Sequence, residues 1–190
     1  MIAPLFATER LVLRPLQSAD AAGLYALFAD DRVTEHYDLA SLRSLSEAIS
    51  LLQHFLNGNA NPVASGFRWA ITRKGQPEQL LGTCGVHSPN AAFHSIAIGY
   101  DLLPDVWGQG LAREAVSGML DYCFSSHFPF ELNRVTATTD LVSPRSIALL
   151  QRLGFSEEGI LRQFGYWKEA FHDVRLFALL RQDWECQQSV

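Results

Sequence analysis

Gly108 and Gly110 stand just before a run in which Leu111, Ala115, Met119 and Tyr122 recur at helical spacing. Glycine lets a backbone come close to a ligand. The first turn of a helix adds unpaired N–H groups and the positive end of its dipole. Together they read as an anion-binding loop over residues 108–112. Residue types then separate the kinds of phosphate loop. A mononucleotide loop needs a Lys and a Ser or Thr directly after its last glycine, and neither follows Gly110. A dinucleotide fingerprint needs a third glycine where Arg113 stands, inside an early βαβ unit that this chain lacks.

The strand before the loop must position it. Ile96, Ile98, Tyr100 and Leu102 alternate with period two, and Pro104 ends the pairing. Amides aimed at a pyrophosphate, preceded by an extended strand free to pair with an amide-bearing arm, fit coenzyme A. The other elements follow in order. Residues 10–16 predict a short strand stopped by Pro15, and Ser18 is expected to cap a helix over 18–29. A polar link over 30–41 leads to a helix with a Ser44/Glu47 capping box, ending near Asn57 and Gly58 in a turn-rich stretch. Strands are predicted over 67–72 and 80–86, joined at Lys74, Gly75 and Gln76. Beyond the central helix come a strand over 134–139 and a helix from Ser143 and Pro144 to Leu153, closed by Gly154. Strands near 158–164 and 174–180 end the series. A meander followed by crossover helices implies a mixed α/β sheet.

At 190 residues the chain is expected to be a single domain with a sizeable core. Hydrophobic residues make up 48% and charged ones 18%, the balance of a soluble globular protein. The net charge of −5, with Lys74 and Lys168 as the lysines, argues against a nucleic-acid partner. An acidic protein must hold a polyanion locally, with helix amides and arginines such as Arg113 and Arg145. Cys84, Cys123 and Cys186 are far apart and form no CxxC pair, which points to a reducing cytoplasm and neither a disulfide framework nor a zinc site. His87 and His94 lack carboxylates at ligand spacing, so no metal is expected. No stretch reads as a signal or membrane span.

Trp107, Gly108, Gln109, Gly110, Leu111 and Ala112 line up with the signature Gln/Arg-x-x-Gly-x-Gly/Ala, departing at Trp107. With TERLVLRPL at 8–16, IGYDLLPDVWGQGLAREAV at 98–116, RLGF at 152–155 and DVRLFALLRQDW at 173–184, the chain resembles the GNAT acyltransferase superfamily. It looks like the branch of the ribosomal-protein N-terminal acetyltransferases RimJ and RimL, over nearly its whole length. The resemblance implies the GNAT (acyl-CoA N-acyltransferase) fold, α/β, a mixed and mostly antiparallel sheet with splayed central strands flanked by helices. Acyl-CoA lies in that gap. It implies cofactor contacts at Tyr100, Leu102, Trp107, Gly108, Gln109, Gly110, Leu111, Ala112, Ser143 and Ser146. In the family motif NxxSxxxLxxxGF, Ser143 departs from the Asn, Ser146 matches the Ser, and Leu150 stands where other branches carry a Tyr. Residues 30–38 and 166–172 are implied to border the acceptor.

Acetyl transfer from a thioester requires a neutral amine, a place for the oxyanion and a proton for the thiolate. An α-amine, with a pKa of roughly 8, needs less help from a base than a lysine at roughly 10.4. Backbone N–H groups near Gly99 and Tyr100 suit the oxyanion, Gly99 having a sheet-packing explanation as its rival. Ser146 is the candidate acid at the sulfur. Relatives often carry a Glu where this chain has Ala97, which leaves His87, His94 or water as the base. Trp69 reads as core. The expected activity is direct transfer from acetyl-CoA to a primary amine, a protein N-terminus or a small molecule, by a cytoplasmic monomer or homodimer. Its rivals are a catalytically inactive acyl-CoA-binding regulatory module and a nucleotide-binding domain.

Overall fold

The computed structural model describes residues 4–60 and 65–188. The chain begins with two short strands, β1 (Phe6–Ala7) and β2 (Leu11–Pro15), in which Leu11 and Leu13 are fully buried. A 3-10 turn at Ser18–Asp20 leads into α1 (Ala21–Phe28). The expected Ser18 cap is corrected: Asp20 Oδ2 accepts from Gln17 N at 2.7 Å, and Arg14 holds the same buried carboxylate at 2.6–2.9 Å. A single helical turn, α2 (Asp31–Thr34), replaces the expected link, because Asp30 accepts from Arg32 N at its start. Helix α3 (Leu45–Ala60) opens on the predicted box, where Ser44 Oγ and Glu47 N meet at 3.3 Å. It runs through Gly58, past the predicted end; residues 61–64 of the turn-rich stretch lie outside the described residues.

Strand β3 (Gly66–Arg73) and β4 (Gln76–Asn90) form a hairpin around Gly75, whose φ of 79° suits glycine. β4 extends beyond the predicted end and takes His87 into the strand, where it pairs with both Gly66 and Ala97. Then come β5 (Ser95–Leu102), α4 (Leu111–Phe124), β6 (Arg134–Asp140) and α5 (Pro144–Arg152), closed at Gly154 with φ 86°. A hairpin of β7 (Ser156–Trp167) and β8 (Ala170–Leu180), longer than its apolar pattern announces, is followed by α6 (Arg181–Gln188).

The eight strands make one mixed sheet in the order β1-β2-β3-β4-β5-β6-β8-β7, parallel at β5 and β6 alone and antiparallel elsewhere. Each face is covered. On one side Trp69, Ile96, Ile98 and Leu102 pack with Leu111, Ala115 and Met119 of α4 and Leu150 of α5. On the other, Ala70 and Leu80 pack with Leu24, Leu27 and Leu52 of α1 and α3. Trp69 is core, as its strand position suggested.

Parallel strands need a long crossover, here made by α4. The β5–β6 ladder is short: Ser95↔Arg134, Ile96↔Val135 and Ala97↔Thr136 pair, and nothing beyond. From there β5 stays with β4 as far as Leu102↔Gly82, while β6 stays with β8 as far as Asp140↔Val174. The sheet opens into a V with β5 as one wall and β6 as the other. This is the splay that the resemblance implied.

Candidate active site

The open wall of β5 has a defined phase. Leu103 N donates to Leu81 O at 2.8 Å, so Asp101 and Gly99, which alternate with it, direct their backbone groups to β4. The backbone groups of Ile98, Tyr100 and Leu102 therefore face the V. At its two ends Ile96 O accepts from Thr136 Oγ1 at 3.3 Å and Leu102 O from Trp107 Nε1 at 2.8 Å. Of the two amides singled out from the sequence, Tyr100 N–H points into the V and Gly99 N–H does not. The side chain of Gly99 is missing for another reason. A Cβ there would meet Arg68 Nη2 at 3.8 Å, an ordinary contact, so sheet packing does not demand glycine. The bare backbone keeps that floor clear.

Trp107, Gly108, Gln109 and Gly110 connect this wall to α4. Gly108 (φ 73°) and Gly110 (φ 76°) adopt the left-handed conformation that favours glycine, and Leu111 and Ala112 begin the helix. Two arginines that the sequence reading passed over brace the loop. Arg10 Nη1 donates to Gln109 O and Arg73 Nη2 to Gln109 Oε1, each at 3.0 Å. Arg10 is itself held by Glu114 of α4 at 2.6 Å, which also accepts from Thr8 Oγ1 at 2.5 Å. Partial burial alone would raise the Glu114 carboxyl, but bonds from Thr8 and Arg10 outweigh it and hold it below the usual range. Trp107, the departure from the signature, has its own partner: the Arg145 guanidinium of α5 lies 4.5 Å from its ring centroid. A cation thus reaches the loop from the opposite wall.

Deeper in the V, Tyr100 of β5 and Ser146 of α5 meet, Oη to Oγ, at 2.6 Å. Burial pushes the Tyr100 phenol up to about 12 against the opposing effect of that bond. Ser143 occupies the residue before α5 without capping it through its side chain, and Leu150 is fully buried. Cys84 lies directly across from Tyr100 in the ladder, but it and Cys123 are fully buried. Burial pushes the Cys84 thiol up to about 12 and raises Cys123 as well, so neither is a poised nucleophile.

On the α1/α3 side of the sheet, Ala97, Gly99 and Asp101 share a face with His87 and Arg68. Arg68 lies over Gly85 and forms a buried ion pair with Asp101, with Nε donating to Thr83 Oγ1 at 2.9 Å and the Phe55 ring 4.8 Å away. No sequence signal joins these residues. His87 sits diagonally to Gly99, roughly 7–8 Å between Cα atoms. Desolvation and the Arg68 charge hold its imidazole below the usual 6.5. His94 is elsewhere: it precedes β5 at the closed end of the V, bonds Glu131 O at 2.8 Å, and lies about 20 Å along the strand from Tyr100. The α2 segment roofs this side. Lys168, at the β7–β8 turn, donates to Thr34 O at 2.6 Å and Glu35 O at 3.3 Å, and His36 approaches Asp140 at 3.8 Å. The expected borders, 30–38 and 166–172, are thus joined across the opening. Among the described residues no group of three or more His, Cys, Asp or Glu side chains could hold a metal ion, and no helix is long and apolar enough to cross a membrane.

Comparison with known proteins agrees with this geometry. The Acetyltransferase (GNAT) domain family matches residues 10–156. The chain is 33% identical to YoaA, an uncharacterized N-acetyltransferase of Bacillus subtilis (strain 168), over 94% of this chain and 97% of that protein. A probable GNAT-family acetyltransferase from Chromobacterium violaceum ATCC 12472 superposes with a TM-score of 0.84 at 27% identity, covering 97% of this chain and 91% of the other. Mycobacterium smegmatis RimJ, solved in complex with CoA-disulfide, superposes with a TM-score of 0.80 at 22% identity, covering 94% and 87%, and shares the fold. The chain belongs to the GNAT acetyltransferase family and is an acyltransferase.

Proposed function

We propose that the whole chain acts as one acetyltransferase domain that moves an acetyl group from acetyl-CoA to a primary amine, a protein N-terminus or a small molecule, by direct transfer in a ternary complex. The observation that carries this reading is the end of the β5–β6 ladder at Ala97↔Thr136, beside a glycine loop that opens a helix. In this reading amides of Gly108, Gln109, Gly110, Leu111 and Ala112, with Arg145 over Trp107, take the pyrophosphate. The gap-facing backbone of Tyr100 and Leu102 takes the pantetheine amides, and Ser143 and Ser146 line its other side. When bound, acetyl-CoA supplies the thioester carbon. Tyr100 N–H then faces the developing oxyanion, Ser146 meets the sulfur, and His87 receives the amine proton from the α1/α3 side.

The buried, raised thiols of Cys84 and Cys123 favour direct transfer over an acyl-enzyme. The test is an initial-rate study with acetyl-CoA and either an Ala-initiated tripeptide or spermidine. Intersecting double-reciprocal lines are expected. Parallel lines would mean a covalent intermediate, and binding of acetyl-CoA without turnover of any amine would favour the regulatory-module reading.

A further inference from the structure

The contact between Tyr100 and Ser146 joins the two walls of the V at a point three residues beyond the last β5–β6 pair. Each hydroxyl can donate, so the order matters. A phenol is a far stronger acid than an alkyl hydroxyl and is the favoured donor. The alternative acceptor for Tyr100, Ser146 O at 3.5 Å, is too distant to compete with Oγ at 2.6 Å. With Tyr100 donating, Ser146 Oγ is occupied as an acceptor while its own proton is left to point elsewhere. No other hydrogen bond is found for Ser146 Oγ among the described residues.

We propose that Tyr100 is a positioning residue for acetyl transfer: its hydroxyl donates to Ser146 Oγ, which turns and polarises the serine O–H toward the CoA sulfur. The proposal rests on acetyl-CoA lying in the V as read above. It also defines what the pair does. A phenol held near 12 surrenders its proton to a thiolate, whose thiol lies near 8.5, only against a deficit of roughly three orders of magnitude. In this proposal the pair acts through hydrogen bonding to the thiolate, with no proton transferred from it. As the C–N bond forms and the C–S bond breaks, the electron pair goes to sulfur, and two aligned hydrogen bonds stabilise the thiolate. The amine proton leaves to His87 or water, and water returns one to the thiolate. Hydrogen bonds arranged in sequence strengthen one another, which makes the two hydroxyls one unit.

A double-mutant cycle tests this, with Tyr100→Phe, Ser146→Ala and both together, using acetyl-CoA and the Ala-initiated tripeptide or spermidine. Each single change is expected to lower kcat about tenfold, the scale of one lost hydrogen bond, with KM for acetyl-CoA within about twofold. The double variant is expected to be no slower than Ser146→Ala, because Tyr100 acts through the serine. Multiplied losses, about a hundredfold, or an unaltered kcat in Tyr100→Phe would overturn the proposal. Should Tyr100→Phe unfold, fluorinated tyrosines at position 100 keep the ring and raise its acidity. Then kcat should rise with phenol acidity, and a flat response would refute the role. If the parent protein turns over neither amine, the acetyl-transfer reading falls as well, a result distinct from any pattern among the variants.

Discussion

His87 is the residue whose role makes the sharpest difference to how the amine loses its proton. Ala97 leaves the floor without the carboxylate that relatives often place there, and His87 is its ladder partner on the same face. Partial desolvation and the Arg68 charge hold its imidazole below 6.5, so it is neutral at pH 7, with Nδ1 3.2 Å from Ser88 Oγ. At saturating amine, kcat/KM for acetyl-CoA should therefore be level at neutral pH and fall as pH drops through a value below 6.5. In His87→Ala that acid limb should vanish together with roughly a hundredfold of rate, the usual scale for a general base. An unchanged profile would assign the proton to water. The sequence marked both histidines equally, since spacing could not tell that β4 runs on through His87 to Asn90 or that His94 belongs to the closed end. Residues 87–90 are mostly exposed and lack the alternation that announces a strand.

Three strands are tied together on the α1/α3 side of the sheet by Arg68, which bonds Thr83 and pairs with Asp101, the pair having side chains only 14% and 4% exposed. Beyond Ala97, β5 has no strand paired with it on the β6 side, so its ladder to β4 and the ion pair to β3 hold this part of it within the sheet. Arg68 reaches Asp101 across Gly85, where a Cβ would stand 2.5 Å from Phe67 O. Arg68→Met leaves a buried carboxylate unpaired and should cost about 3–5 kcal/mol in urea unfolding. Arg68→Met with Asp101→Leu should recover most of it, because two apolar side chains leave no charge stranded. A loss under about 1 kcal/mol in the single variant would mean that the pair is not holding the strands. Nothing in the sequence couples positions 68 and 101, which meet only through the β3–β4–β5 register. By contrast, the glycine loop and the helix that follows it were legible, because glycine chemistry and a 3.6-residue period are local signals. The β7–β8 hairpin was foreshortened because β7 is exposed along most of its length and buries no stripe.

For the molecule as a whole, the main strands and helices and the mixed sheet could be read in advance, apart from β1, α2 and α6, and the V followed from the family likeness. What periodicity could not supply was the distance at which β5 and β6 part, since register depends on pairings far apart in the chain. That parting puts two apolar layers behind two walls and leaves one open seam between them, entered by the glycine loop on one side and roofed by α2 and the β7–β8 turn on the other. This seam is the proposed acetyl-CoA site. Calorimetric titration with acetyl-CoA, comparing the parent with a Gly110→Trp variant, tests it most directly. Gly110 sits at φ 76° at the mouth of the helix, so an indole there obstructs the amides. Saturable binding at one site per chain is expected in the parent, with loss of at least tenfold in affinity in a variant that still unfolds cooperatively. Equal binding by both proteins, or none by the parent, would contradict it.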